Sequence, residues 1–155
     1  MPKLSDLKRA RALWVDHFGS HPAIVLVESA TSPVVICGTS KQKSDPDEVR
    51  IDPASPAGYV LGLNSPTFFY WWKMAIVSSE ASIKSVKGMC PPGVFHSLER
   101  LAVLAATKIK NQQIQSALKV LAPIAAMPAV QPVAASPVMR APVPTGNRGS
   151  GTPED

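Results

Sequence analysis

The chain has 155 residues, of which 45% are hydrophobic and 17% charged, and its formal net charge is +5. That length suits one domain and leaves little room for a two-domain enzyme. The positive charge favours a polyanionic partner such as nucleic acid, although many proteins of this charge bind none. No apolar run approaches the ~20 residues of a membrane span, so the sequence predicts a soluble, cytoplasmic protein without a membrane partner.

The cysteines and the basic N-terminal residues lead to two further predictions, one about metal sites and one about the start of the chain. Cys37 and Cys90 are the only cysteines, and neither occurs in a CxxC or Cys/His spacing, so the sequence predicts buried thiols and no metal site. Residues 1–11 are rich in lysine and arginine. We expect them to form either a short helix or a frayed basic arm.

The first half of the chain is dominated by β-strand signals. Runs of β-branched residues bounded by turn residues predict strands at 12–16, 22–28 and 33–39. Gly38, near the end of the third run, indicates a bulge or a close backbone approach. The segment SKQKSDP that follows is polar and basic and has no hydrophobic anchor, which predicts a mobile loop before a short strand at 48–51.

The next part of the chain carries most of the aromatic residues. A turn-rich link at 52–58 precedes the run FFYWW, which holds five of the nine aromatic residues, and the strand KMAIVS. Alternation predicts that one set of these aromatics fills the core and the other lies near the surface. The two sets are Phe68, Tyr70 and Trp72 on one face, and Phe69 and Trp71 on the other. An exposed set would stack on unpaired bases or form a dimer interface.

A weak alternation at 82–87 indicates a last strand, and beyond Gly93 the apolar spacing changes to about 3.6 residues, as in a helix. The predicted helix leaves Glu99, Arg100 and Lys108 off its buried face, which is formed by Val94, Leu98, Leu101, Leu104 and Ala105. Residues 111–121 either extend this helix or form a second one.

Together these elements predict a mainly β fold with C-terminal α structure, a small β-barrel with one or two packed helices. From Pro123 onward the chain has no aromatic residue but seven of its sixteen prolines. Such a segment cannot offset the ~1–2 kcal/mol per residue of backbone ordering, so we expect a disordered Pro/Ala-rich tail. The predicted organisation is an arm at 1–11, a domain at 12–122 and a tail at 123–155.

Two histidines are the first candidates for chemistry. His21 precedes Pro22 at the entrance to the second strand, and His17 lies four residues earlier, across a tight connection. Two imidazoles that face one cleft can act as general acid and general base. The alternative is that His21 is an ordinary turn residue before a proline.

Two further groups of residues suit the binding of a phosphate chain. After the third strand, Thr39 and Ser40 lead into Lys41 and Lys43. Hydroxyls, amides beside a glycine and ammonium groups are used by proteins to hold phosphate, and the alternative is a strand end that runs into a solvated loop. The other group flanks the aromatic run and consists of Asn64, Thr67 and Lys73.

With these segments in order, the chain resembles the PemK/MazF family of toxins, small SH3-like barrels with a C-terminal helix that act as metal-independent endoribonucleases. The resemblance runs from residue 13 to residue 106 and is carried by three segments, LWVDHFGSHPAIVLV, VVICGTSKQKSDPDEVRI and GLNSPTFFYWWKMAIV. They are similar to the family's opening strand, loop and RPAVVL strand, to its strand-end Thr/Ser with a polar loop, and to its GL…PT.F segment.

The resemblance implies a toxin of a type II toxin–antitoxin system that cuts single-stranded RNA by attack of the 2′-hydroxyl on the adjacent phosphate, without a metal or other cofactor. Thr39 matches the threonine at the family's active-site strand end, and the loop at 40–45 matches its RNA-contacting loop. His21 stands where catalytically competent members carry arginine, so His21 and His17 become the acid and base candidates. The phosphate would be held by Lys41, Lys43 and Lys73. The family also implies a homodimer and a cognate antitoxin that occupies the RNA groove.

Two functions of another class fit the same residues. One is a non-catalytic SH3-like interaction module, for which the Pro-rich tail would be a tether or a ligand of another domain. The other is a barrel that binds nucleic acid without cutting it. The nuclease requires His21 and Thr39 to face one cleft with Lys41 or Lys43, whereas the alternatives expect these residues to diverge or the cleft to be filled by aromatic side chains.

Overall fold

A computed structural model of the chain describes residues 2–17 and 19–119. The strands are β1 (Arg11–Asp16), β2 (Ser20–Val27), β3 (Val34–Thr39), β4 (Val49–Ile51), β5 (Thr67–Ile76) and β6 (Ile83–Met89), and the helices are α1 (Pro56–Leu61), α2 (Pro92–Lys108) and α3 (Gln112–Leu118). Two short 3-10 turns, Leu4–Asp6 and Glu80–Ser82, complete the set. The tail predicted at 123–155 lies outside the described residues.

The six strands form one antiparallel sheet in the order β4-β5-β3-β2-β1-β6. β1, β2 and β3 form a meander, and β5 returns along the other side of β3 with β4 beside it. The prediction of a mainly β fold with C-terminal helices is therefore confirmed. None of the helices in the described part of the chain combines the length and apolarity that crossing a membrane requires.

Both faces of this sheet are buried at its centre, because β2 is apolar from residue 22 to 27 and β3 from residue 34 to 37. Along β2, Ile24 and Leu26 belong to a core beneath the helices, whereas Ala23 and Val25 belong to a second core on the opposite face. The second core is completed by the N-terminal segment, whose side chains there are Leu4 and Leu7. Residues 1–11 are thus not a frayed arm in their described part, because two apolar side chains of this segment are buried.

Gly38 permits the close approach that its sequence position indicates. A Cβ atom there would lie 2.5 Å from the Thr67 side chain and 2.9 Å from the Phe69 ring. The β3–β5 register also shifts at this point, since Ile36 pairs with Met74 but Gly38 pairs with Phe69. The shift leaves β5 bulged at residues 70–73.

The bulge overrides the alternation predicted for the aromatic run. Phe68, Phe69 and Tyr70 are all buried, so neither predicted set lies as a whole near the surface. Trp71 is half-buried, and Trp72 is 36% exposed. The prediction of one buried and one exposed set is wrong for two reasons. Phe68 and Phe69 are both buried although they point to opposite faces of a regularly paired segment, and the bulge then breaks the alternation at residues 70–73.

Residues 56–61 are helical rather than part of a turn-rich link. Ser55 caps α1 by accepting a hydrogen bond from the Gly58 amide at 3.1 Å, and Pro56 occupies the first turn, where a missing N–H costs nothing. Gly62 ends the helix with a φ of 69°, a left-handed conformation that glycine adopts readily. Six residues are too few for the apolar period to be visible in the sequence.

The helix predicted beyond Gly93 forms, but its buried face is rotated relative to the prediction. Leu98, Leu101 and Ala105 are buried as expected, whereas Val94 and Leu104 are only half-buried. The face also includes four residues that the prediction omitted or placed outside it: Phe95, Glu99, Ala102 and Ala106. A second helix follows instead of an extension, because Asn111 caps α3 by accepting from the Ile114 amide at 3.1 Å.

Candidate functional site

One end of the sheet brings the predicted site residues together. β2 begins there with Ser20 and His21, β3 ends there with Thr39, and β5 begins there with Thr67. Antiparallel pairing places the start of one strand beside the end of its neighbour, so residues far apart in sequence meet at this edge. The loop from Ser40 to Glu48 leaves the sheet at the same edge.

A hydrogen bond to the neighbouring strand orients the His21 ring. Nδ1 of His21 lies 3.1 Å from the carbonyl oxygen of Gly38. Because a carbonyl oxygen only accepts, Nδ1 carries the proton in this contact, and Nε2 is the ring nitrogen that remains for proton transfer. Nε2 faces the β1–β2 turn, where a Cβ on Gly19 would lie 3.8 Å away.

The first cavity at this edge has a volume of about 450 Å³. Its wall carries six of the nine predicted site residues: His17, His21, Thr39, Lys41, Lys43 and Lys73. Cys37, Trp72 and Met74 complete the lining, and no carboxylate is among the described residues there. Three ammonium groups without an acidic neighbour in the wall favour an anionic ligand.

A second cavity of about 360 Å³ shares His21, Thr39 and Lys41 with the first, so the two adjoin at these residues. It adds the three remaining predicted residues: Ser40, Asn64 and Thr67. Trp14 also lines it, and the indole Nε1 of Trp14 donates to the Leu61 carbonyl at 2.7 Å, which fixes the end of α1 against β1. We call the two cavities together the basic groove.

The Thr39 side chain has a hydrogen left for a ligand. Its Oγ1 accepts from the Lys41 amide at 3.2 Å, an ST turn that folds the start of the loop back over the strand end. Because this contact uses an acceptor position, the hydroxyl proton remains available to donate to a phosphate oxygen.

Sequence analysis missed two residues that hold the basic loop, Tyr70 and Glu48. The buried hydroxyl of Tyr70 accepts from the Lys43 amide and donates to the Glu48 carboxylate at 2.8 Å, with the Lys43 carbonyl at 3.1 Å as an alternative acceptor. The loop has no hydrophobic anchor at residues 40–44, as the sequence predicts, but it has a polar anchor in the Tyr70 hydroxyl, which the sequence does not predict. Nothing in the sequence around Tyr70 predicts this role, because the alternation of the aromatic run indicates only that the residue lies in a strand.

The electrostatics around Tyr70 favour the neutral phenol. Burial raises the pKa of Tyr70, and the nearby Glu48 and Asp45 carboxylates raise it further, while the bond from the Lys43 backbone opposes them. A neutral phenol keeps the proton that it donates to Glu48. Trp72 stacks on one face of the Tyr70 ring, with ring centroids 4.6 Å apart.

Both cysteines are buried, as predicted. Burial raises the pKa of Cys37 to about 12, partly opposed by the charge of Lys73, and raises that of Cys90 to about 11. The Cys37 thiol on the groove wall is thus protonated at neutral pH and is a poor nucleophile. Within the described ranges, no group of three or more His, Cys, Asp or Glu side chains is placed to hold a metal ion.

Comparison with known proteins assigns no relative: no protein-family model matches the chain, and no curated protein matches it.

Proposed function

We propose that the chain binds single-stranded RNA in the basic groove and cuts it without a metal ion, in the manner of the PemK/MazF toxins that its sequence resembles. The observation that carries this proposal is the convergence of two imidazoles, one hydroxyl and three ammonium groups on a single cavity. These are the groups that transfer protons and hold a phosphate during RNA transesterification.

The reaction would proceed by attack of the 2′-hydroxyl on the adjacent phosphate. The His21 Nε2 removes the 2′-hydroxyl proton, a new bond forms between the 2′-oxygen and phosphorus, and the bond to the 5′-oxygen breaks. His17 donates a proton to that leaving oxygen. The products are a 2′,3′-cyclic phosphate and a 5′-hydroxyl, so atoms and charges balance without a cofactor.

Lysine would supply the permanent charge that the histidine at position 21 lacks. The PemK/MazF family carries arginine at the position of His21, and arginine stabilises a pentacoordinate phosphate as well as orienting it. Lys41, Lys43 and Lys73 line the same cavity as His21. Proton transfer and charge stabilisation would thus be divided between different side chains.

The rest of the assignment follows from the same resemblance. We propose that the six-stranded sheet is an SH3-like barrel, that the protein acts in the cytoplasm as a homodimer, and that a cognate antitoxin blocks the basic groove. The exposed Trp72, which lines the groove, would stack on an unpaired base, an interaction worth ~1–3 kcal/mol.

Incubation of the full-length protein with a long single-stranded RNA in EDTA tests the proposal. We expect discrete cuts with cyclic-phosphate ends, mapped by primer extension, and a fall in rate of about 10²–10⁴-fold for His21→Ala because proton transfer is lost. Thr39→Ala and His17→Ala should also lower the rate. The matched control is His96→Ala, which removes an exposed imidazole on α2, away from the groove.

A cleavage rate that is the same in His21→Ala and in wild type would refute the nuclease. RNA binding without any cutting would instead support the second candidate, a nucleic-acid-binding module. The stacked Tyr70–Trp72 pair beside the lysines favours that candidate over a protein-interaction module, because it offers a platform for a base.

A further inference from the structure

The loop that carries Lys41 and Lys43 has one deeply buried point of attachment. Residues 40–44 are all exposed, so apolar burial does not hold this part of the loop. The Tyr70 side chain is 0% exposed, and its hydroxyl meets the backbone of Lys43 and the carboxylate of Glu48. One side chain in the core thus fixes the loop at the lysine itself and again five residues later.

Two further hydrogen bonds connect Glu48 to other residues of the same loop. Glu48 accepts from the Gln42 side-chain amide at 3.0 Å through its other carboxylate oxygen. Its backbone amide donates to the Asp45 carbonyl at 3.2 Å. Loss of the Tyr70 hydroxyl would therefore free the Lys43 backbone and the Glu48 carboxylate from β5, while β4 still holds the chain from Val49 onward.

The bulge in β5 links this anchor to the basic groove. Tyr70 lies in the bulged segment, two residues before Trp72 and three before Lys73, and both of these residues line the groove. The Tyr70 ring packs face to face on Trp72 with an interplanar angle of 9°. The same ring therefore contacts the groove wall through its face and the basic loop through its hydroxyl.

We propose that Tyr70 is a positioning residue that sets the places of Lys41 and Lys43 in the basic groove by holding the backbone of the loop. Tyr70 does not line the groove and is not a catalytic residue. A phosphate chain then meets two ammonium groups already in place, and binding does not bear the cost of ordering the loop. We call the part of this inference that concerns phosphate binding its ligand half, and that part rests on the function proposed above.

The test replaces only the hydroxyl. Tyr70→Phe keeps the buried ring and its stack with Trp72, and Tyr59→Phe is the matched control because Tyr59 is 86% exposed on α1. Hydrogen exchange of the amides at 41–48 reports the anchor without any RNA. We expect about 5- to 150-fold faster exchange in Tyr70→Phe and no change in the control, since at least two hydrogen bonds that hold the loop are lost.

Binding of a 2′-deoxy oligonucleotide, which cannot be cut by the proposed reaction, tests the ligand half. We expect Tyr70→Phe to raise its Kd about 5- to 30-fold and to flatten the dependence of log Kd on log salt, because fewer lysines would engage phosphates at once. Glu48→Gln and Glu48→Ala remove the same charge, but Glu48→Gln retains an acceptor for the phenol and should raise the Kd less than Glu48→Ala. Neither should have the full effect of Tyr70→Phe, because the phenol still accepts from the Lys43 amide. A merely structural role for Tyr70 would not change the salt dependence.

The possible results distinguish failure of the anchor, failure of the positioning role and failure of the proposed function. Unchanged loop exchange in Tyr70→Phe would overturn the anchor, whatever the protein binds. Faster exchange with unchanged Kd and salt dependence would overturn the positioning role. If wild type binds no oligonucleotide, the proposed function and the ligand half of this inference fail together, while the exchange result still decides the anchor.

Discussion

At the scale of single residues, Cys37 shows how burial controls reactivity. Its thiol lines the basic groove but is only 4% exposed, and the raised pKa keeps it protonated. A nucleophilic cysteine needs the opposite environment, one that stabilises the thiolate. Cys37 is therefore not a group on the groove wall that is suited to nucleophilic attack at neutral pH.

Because Cys37 is buried, the free energy of unfolding also depends on pH in the alkaline range. In the unfolded chain a thiol loses its proton near pH ~8.5, whereas Cys37 keeps it until about pH 12 in the folded state. Above the unfolded pKa, the folded state binds more protons, so the free energy of unfolding falls by up to about 1.4 kcal/mol per pH unit for each such group. Cys90 and Tyr70, whose pKa values are also raised, act in the same direction.

Urea unfolding at pH 8, 9 and 10 measures this effect. We expect Cys37→Ala to lose stability less steeply with pH than wild type, because one of the shifted groups is gone. We compare the slopes of the free energy of unfolding against pH, because the stability lost through the smaller side chain is the same at each pH and does not change the slope. Parallel slopes for the two proteins would contradict the assignment to Cys37.

At the scale of elements, α2 is joined to the N-terminal segment by a buried charge. Glu99 lies on the buried face of α2 with its side chain 8% exposed, and it pairs with Arg9, whose side chain is 35% exposed. The Arg9 guanidinium also lies 5.1 Å from the centre of the Phe95 ring. One of the basic residues of the N-terminus is therefore neutralised within the fold and is not available to a polyanion.

Removing one member of this pair should be costly. We expect Glu99→Gln to lower the free energy of unfolding by about 1–3 kcal/mol, because Arg9 loses its ionic partner in a largely desolvated site. Asp52→Asn is the control, since its pair with Arg50 is exposed on both sides and should be worth less than about 1 kcal/mol. The double variant Arg9→Met/Glu99→Leu should recover part of the loss, and a double variant as unstable as Glu99→Gln would argue against an unpaired charge as the cause.

At the scale of the whole molecule, the sheet has a core on each face, and the two are covered differently. The helices α2 and α3 cover one face, whereas the N-terminal segment with Leu4 and Leu7 covers part of the other. Leu7 is 1% exposed, so its contribution is that of an ordinary core residue although it precedes the first strand. The folded domain therefore begins before residue 12.

Leu7→Ala tests whether this cover is part of the cooperative fold. We expect a loss of about 2–5 kcal/mol, the usual cost of a leucine truncated in a packed core. Thermal or urea unfolding gives the measurement, with Met89→Ala as the control because Met89 is 47% exposed. A loss below about 0.5 kcal/mol, as for surface substitutions, would mean that the segment frays in solution.

The sequence by itself determined the strand-rich architecture, and it predicted which residues form the candidate site. β-branched runs and an apolar spacing near 3.6 are local signals, so β1, β2, β3 and α2 were found close to their observed bounds. The nine residues predicted from their chemistry and from the family resemblance all line the basic groove, and their functional roles stay predictions.

Only the tertiary structure decided how these residues are held. The Tyr70 anchor joins positions 70, 43 and 48 through a hydroxyl, and the Arg9–Glu99 pair joins positions 90 residues apart; neither contact leaves a periodic trace in the sequence. The bulge in β5 likewise arises from the fit of Gly38 against Phe69 and Thr67 on the neighbouring strand. Such features depend on which strands become neighbours, and local propensity does not encode that choice.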